Sequence, residues 1–231
     1  FLSCNFAKVG EDKSYFDSYT IVSYGDVEIA YIGITTPSTI SSSNPAQFKN
    51  EDGEIIYTFN EAEMYSLVQA NIDAAENAGA DYVIALSHVG YDESDELFDI
   101  TDIIENTDGF DVVLDAHAHL VIEEKTLKDK SGDDVLLSST GTKFEYIGKL
   151  TITEDGPHTE LVETATYEKT DATVDAYLAE INESYAELGN RVIGQSTVTL
   201  NDYDGDTRLV RNSETALGNF CSDALRVMTG A

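Results

Sequence analysis

Val112-Val113-Leu114-Asp115-Ala116-His117-Ala118-His119-Leu120 joins a short apolar run of strand character to two histidines spaced i, i+2. On an extended backbone, side chains two residues apart point to the same side. Both imidazoles are therefore expected to reach one point just past the end of a buried strand. Upstream, Tyr82-Val83-Ile84-Ala85-Leu86 repeats the arrangement and leads straight into Ser87-His88. Each run follows a helical pattern. Glu61 to Ala78 sets Met64, Leu67, Val68, Ile72 and Ala75 on one face, with Asn60 as N-cap, Glu63 completing a box and Gly79 as the stop. Asp95 to Glu105 turns Leu97, Ile100, Ile103 and Ile104 inward. Helix–strand–helix–strand alternation with short, continuously apolar strands predicts an α/β fold on parallel strands. Such strands present functional groups beyond their carboxyl ends, so His88, His117 and His119 are expected to share a site.

Moving outward, Tyr19 to Tyr24 and Val27 to Ile34 read as strands about a turn at Gly25-Asp26, followed by a long polar loop from Thr35 to Asn50. Downstream, Val135 to Ser138, Ile147 to Ile152 and Glu160 to Thr166 read as strands, with a hairpin turn at Asp155-Gly156. Asp171 to Leu188 is a long amphipathic helix with Val174, Tyr177, Leu178, Ile181, Tyr185 and Leu188 on one stripe. Coming after a run of strands, it reads as an interdomain helix. Val192 to Leu200 reads as extended. Ser213 to Met228 is a last helix, with Leu217, Phe220, Cys221, Ala224, Leu225 and Met228 inward.

The bulk composition narrows the function classes. The 231 residues are 42 % hydrophobic, which suits a globular chain with a sizeable core. Acidic residues number 44 against 13 basic, a formal net charge of −31. That field repels nucleic acid and anionic membrane, so neither is expected as a partner. A phosphate-bearing substrate would need cations held at its site. No run of 18 apolar residues exists, so no membrane span is expected. Cys4 and Cys221 lie in no C-x-x-C pattern and are expected as buried free thiols. The signatures G-x-S-x-G, G-x-x-x-x-G-K-[ST] and G-x-G-x-x-G are all missing, which removes α/β-hydrolase, P-loop and Rossmann readings.

What remains is the histidine cluster. Neutral imidazole suits Zn²⁺, Mn²⁺, Fe or Co, and H-x-H at a strand end presents two ligands together. The alternative is three polar strand-end residues facing solvent. Asp115, the nearest acid, either orients an imidazole or hydrogen-bonds the backbone, and the backbone role is the simpler expectation. His158, in Gly156-Pro157-His158-Thr159, is expected to be an exposed turn residue.

Several segments resemble bacterial 5′-nucleotidases of the calcineurin-like metallophosphoesterase superfamily. Phe1-Leu2-Ser3-Cys4-Asn5 is similar to their "FLSAN", and Ile32-Gly33-Ile34-Thr35-Thr36-Pro37 to "IGLTTP". Leu86-Ser87-His88-Val89-Gly90 resembles "LSHLG", Asp115-Ala116-His117-Ala118-His119 resembles "DGHSH", and Tyr146-Ile147-Gly148-Lys149-Leu150 resembles the end of "GKYLGRL". Asn212 to Ala231, with Glu214, Leu217-Gly218-Asn219 and Thr229-Gly230-Ala231, looks like the start of the family's C-terminal domain.

The resemblance implies an α/β fold: a partial αββα-type metallophosphoesterase sandwich over 1–168, an interdomain helix over 169–190, and the beginning of a substrate-binding α/β domain over 191–231. It implies two-metal hydrolysis of nucleotide phosphoesters in the intact protein, with two divalent ions (Mn, Zn, Mg, Co or Fe). His88 and His117 would ligate one metal and His119 the other. Ala116, Ala118 and Leu120 replace the family's glycine, serine and threonine without removing a ligand. The family's remaining ligands lie in segments before "FLSAN", so the chain is expected to be an internal fragment. It would carry the histidine half of the site, retain no catalytic residue and be inactive alone. An exposed sheet is expected to await the N-terminal portion or a second copy. The implied substrate is a nucleotide or related small phosphoester, and the implied location is extracellular, periplasmic or at the cell surface. Two alternatives stay open: a non-catalytic ligand- or surface-binding relative, and a cyclic-nucleotide or UDP-sugar hydrolase.

Overall fold

The computed structural model describes residues 1–11, 13–91, 98–205 and 207–230. The chain divides into two compact units, Phe1–Glu168 and Lys169–Ala231. In the first, Tyr19–Tyr24 (β1) and Val27–Thr35 (β2) form an antiparallel hairpin whose turn uses the left-handed φ of 70° at Gly25. There follow helix Met64–Asn77 (α1), strand Tyr82–His88 (β3), helix Ile100–Asn106 (α2) and strand Val112–Asp115 (β4). Val121–Lys128 (β5) and Asp134–Thr140 (β6) complete a six-stranded sheet ordered β1-β2-β3-β4-β6-β5. The inner strands β2, β3, β4 and β6 are parallel, and β1 and β5 close the edges antiparallel. This is a mixed α/β architecture, as the alternation predicts.

Both faces of the inner strands are apolar because both are covered. On one face Ala30, Ile32, Ile34, Val83, Ala85, Val113, Val135 and Leu137 pack with Met64, Val68, Ile72 and Ala75 of α1 and Ile100, Ile103 and Ile104 of α2. Each large aliphatic side chain buried there contributes roughly 1.5–3 kcal/mol. On the other face Ile29, Ile84, Val112 and Leu136 meet Leu150 and Ile152. Those two come from Tyr146–Thr153 (β7), which pairs with Gly156–Glu163 (β8) in a hairpin. The hairpin's cover is incomplete: Leu86, on the same face of β3 as Ile84, is 41 % exposed. The N-terminal segment lies against β2 where Cys4 N–H donates to the Gly33 carbonyl at 2.8 Å. A β-carbon at Gly33 would meet the Leu2 carbonyl oxygen at 2.2 Å, so only glycine permits this approach.

Some expectations are corrected. Asn60 does not cap α1: it sits at φ 49°, makes no side-chain cap bond, and is followed by a 3-10 turn over Glu61–Glu63 before the helix starts at Met64. The described part of the second helix begins at Ile100, held by a capping box between Asp99 and Asp102; the expected start at Asp95 and the inward Leu97 lie outside the described residues. The loop after Thr35 contains a short helix, Thr39–Ser42, and a 3-10 turn, Pro45–Phe48. Strand β5 was unanticipated, because its charged, exposed edge and the register shift between Ile122 and Lys125 erase the period-2 pattern. His158 is exposed as expected, but it pairs with Thr151 inside β8, with its Nδ1 3.7 Å from Glu124 Oε2.

In the second unit, Ala172–Gly189 (α3) is capped by Asp171, which accepts from the N–H groups of Thr173 and Val174. Ala216–Thr229 (α4) is capped by Thr215 and ends at Gly230, φ 73°. Neither helix buries a residue. The stripe through Tyr177 and Leu178 is exposed, and so are Phe220 and Leu225, which were expected inward. Amphipathicity marks a face that would bury but supplies nothing to bury it against. Residues 192–200, expected extended, form no strand. Cys4 is a buried free thiol as expected, whereas Cys221 is exposed.

Candidate metal centre

Strands β3 and β4 are adjacent and parallel, with Leu86 opposite Leu114, so their carboxyl ends open side by side. His88 is the last residue of β3. Strand β4 stops at Asp115, and the chain then turns through left-handed conformations at His117 (φ 83°) and His119 (φ 58°). The extended-backbone argument therefore fails for this pair. A turn, not the pleat of a strand, brings the His117 ring to 5.1 Å from the His88 ring, centroid to centroid, at an interplanar angle of 62°. Positive φ at non-glycine residues costs free energy and persists where the surroundings over-determine it.

His119 is exposed, yet near enough for its charge to act on His88. Burial pushes the His88 imidazole below its usual pKa, His117 and His119 add to that depression, and Asp115 opposes it. The net effect favours neutral imidazole, the form that binds metal. Among the described residues, no three histidine, cysteine or acidic side chains converge as a metal-holding group. The structure thus joins His88 and His117 and leaves His119 outside any closed ligand set. Two neutral imidazoles are donors of the kind a divalent ion takes, and the described side chains do not complete a ligand set around them.

Asp115 is buried, and the backbone reading of its role is the one observed. Its carboxyl accepts the N–H of Val89 at 3.2 Å and that of Gly90 at 3.3 and 3.1 Å. Burial raises its pKa; the Ser87 side chain and the backbone N–H groups of Val89, Gly90 and Ala116 pull it back. Ser87 Oγ acts by proximity, since it is buried without a partner of hydrogen-bonding geometry. Strand β6, parallel to β4, ends in Ser138-Ser139-Thr140. These hydroxyls line a cleft of about 170 Å³ with Asp115, Lys149 and Thr159. The sequence reading passed over them. The rule that parallel strands carry function at their carboxyl ends applies to β6 as much as to β3 and β4.

No protein-family model matches the chain. A 5′-nucleotidase of Diplobatis ommata is 28 % identical over an alignment of 253 residues, covering 97 % of this chain and 40 % of that protein. The trifunctional nucleotide phosphoesterase protein YfkN of Bacillus subtilis is 23 % identical over 218 residues, covering 90 % of this chain and 13 % of its own length. Among solved structures, a 5′-nucleotidase precursor from Thermus thermophilus superposes with a TM-score of 0.70 at 21 % identity, over 99 % of this chain and 46 % of that one. The chain therefore spans less than half the length of each of these proteins. Its sequence is similar to part of a 5′-nucleotidase and part of a nucleotide phosphoesterase, and its fold is that of the matching stretch of the Thermus thermophilus 5′-nucleotidase precursor.

Proposed function

We propose that this chain is part of a metal-dependent phosphoric ester hydrolase acting on nucleotides. The observation that carries the reading is the meeting of His88 and His117 at the ends of adjacent parallel strands. Their setting is a chain whose sequence relatives are a 5′-nucleotidase and a nucleotide phosphoesterase. In this proposal His88, His117 and His119 supply imidazole nitrogens to two divalent ions, with the remaining donors coming from elsewhere in the protein. The ions, when bound, lower the pKa of a water and polarise the phosphoryl oxygens. The chain's own part is to hold the His88 imidazole neutral and turned towards its neighbour. Bound cations also answer the net charge of −31, which otherwise opposes a phosphate ester.

Several finer statements belong to the same proposal. Residues 1–168 are read as the metallophosphoesterase part, 169–190 as a connecting helix and 191–231 as the start of a substrate-binding domain. The uncovered apolar surface at Leu86 is read as a face for further chain of the same protein or a second copy. The 231-residue chain alone is read as inactive, and the whole protein as extracellular, periplasmic or surface-held. Among the described residues, no helix is long and apolar enough to cross a membrane.

The test is phosphate release from a nucleoside 5′-monophosphate with added Mn²⁺, using the longest protein that carries this chain. His88→Ala and His117→Ala are expected to remove the activity. Unchanged turnover in either variant contradicts the proposal, and family-like turnover by the 231-residue chain alone contradicts the reading that it is inactive by itself.

A further inference from the structure

Two backbone segments must be held for His88 and His117 to meet, and one side chain touches both. Val89 and Gly90 directly follow His88, and both their N–H groups converge on Asp115, which lies 26 positions beyond Val89. Successive N–H groups aimed at one carboxyl form an anion-binding nest; here the φ of 102° at Gly90 shapes it. Asp115 is also two residues before His117, at the point where β4 stops. Val89 is fully buried, so its N–H has no water to turn to.

We propose that Asp115 is the positioning residue of this site: by tying the turn after His88 to the start of the turn that carries His117, it sets the approach of the two imidazoles. The inference rests on the reading that these imidazoles work together at a metal. Two physical points support it. Removing the carboxyl orphans two backbone donors, one after the other, immediately beside His88, and a buried donor left without an acceptor is unfavourable. The segment relieves that cost by moving, and His88 moves with it. Second, the left-handed φ of His117 needs a held neighbour to persist, and Asp115 is anchored at the residue where β4 stops.

The test uses the 231-residue chain, ¹⁵N-labelled, with Asp115→Asn, Asp115→Ala and, as a control of comparable destabilisation, Val113→Ala in the core. The readouts are the proton–proton contact between the His88 and His117 rings, amide exchange at Gly90, and Zn²⁺ affinity by calorimetry. In Asp115→Ala the ring contact is expected to disappear and Gly90 exchange to rise. Zn²⁺ affinity should fall about tenfold or more. Asp115→Asn, which keeps one acceptor oxygen, is expected to recover part of each. Val113→Ala is expected to keep the ring contact. A retained ring contact in Asp115→Ala overturns the inference, as does equal loss in Val113→Ala. If Asp115→Ala does not fold, Asp115→Asn decides: wild-type ring contact together with wild-type Gly90 exchange counts against the clamp. Failure of the underlying metal reading looks different. Zn²⁺ affinity would then be the same in wild type, His88→Ala and His117→Ala, while the ring contact still responds to Asp115.

Discussion

Both carboxyl oxygens of Asp115 accept the N–H of Gly90, at 3.3 and 3.1 Å, across 25 positions of sequence. The bond ties the carboxyl end of β4 to the turn that follows β3, beyond the last ladder pair at Leu86 and Leu114. A side chain thus extends the sheet past the point where the two backbones part. In urea denaturation, Asp115→Ala is expected to lower stability by about 1–3 kcal/mol for each buried donor left unpaired. A midpoint equal to wild type would count against this.

Among the described glycines, Gly33 has the tightest surroundings. Its added β-carbon would sit 2.2 Å from the Leu2 carbonyl oxygen and 2.3 Å from the carbonyl carbon, neither of which belongs to a side chain that can rotate away. Gly33→Ala is expected to destabilise by about 3 kcal/mol and to break the bond from Cys4 N–H to the Gly33 carbonyl. Amide exchange at Cys4 reads the second effect directly.

Ile84 and Leu86 share a face of β3 and differ in cover. Ile84 is fully buried, whereas Leu86 is 41 % exposed. Ile84→Ala is expected to cost about 2–5 kcal/mol, and Leu86→Ala about 1 kcal/mol or less, scaled to the smaller area it removes from water. Equal costs would mean that the Leu86 side of the sheet is covered in solution.

The two cysteines separate by environment. Burial pushes the Cys4 thiol up to about 12, while Cys221 is exposed. At pH 8 iodoacetamide is expected to modify Cys221 rapidly and Cys4 only after denaturant is added, because the thiolate is the nucleophile. Peptide mass mapping with and without guanidinium distinguishes the two.

Asp171 caps α3, and the N–H groups of Val174 and Thr173 hold its carboxyl below the ordinary 3.8. A depressed acid stabilises the folded state above its unfolded pKa and loses that contribution as pH falls through the folded value. Helicity of α3 is therefore expected to be flat above about pH 4 and to drop below it, relative to the ordinary carboxyl value. Asp171→Asn, which caps without titrating, should flatten that acid step. A step that survives in the Asn variant assigns it to another group.

Much of this molecule is written in local pattern. The continuous apolar runs at Tyr82 to Leu86 and Val112 to Leu114 declare buried parallel strands, because only a strand covered on both faces drops its polar alternation. The spacing of Met64, Val68, Ile72 and Ala75 declares a helix face, and all four are buried. The strand ends flagged His88 and His117 for the same reason: function gathers where parallel strands stop. Edge strand β5 was illegible because its side chains answer to solvent and to a bulge. The stripes on α3 and α4 were legible as faces, but amphipathic spacing carries no information on whether a partner surface is present.

By itself, then, the sequence determined the α/β class, the inner strands and the pairing of His88 with a histidine of the next strand, since all three follow from periodicity along one chain. The family resemblance already named His117 as the partner of His88; only the tertiary structure decided how the two meet. His117 reaches His88 through a left-handed turn at φ 83°, and the carboxyl of Asp115 ties the two loops. Dihedral sign at a non-glycine residue and a hydrogen bond across 26 positions are set by packing around the segment, which no spacing rule along it can encode.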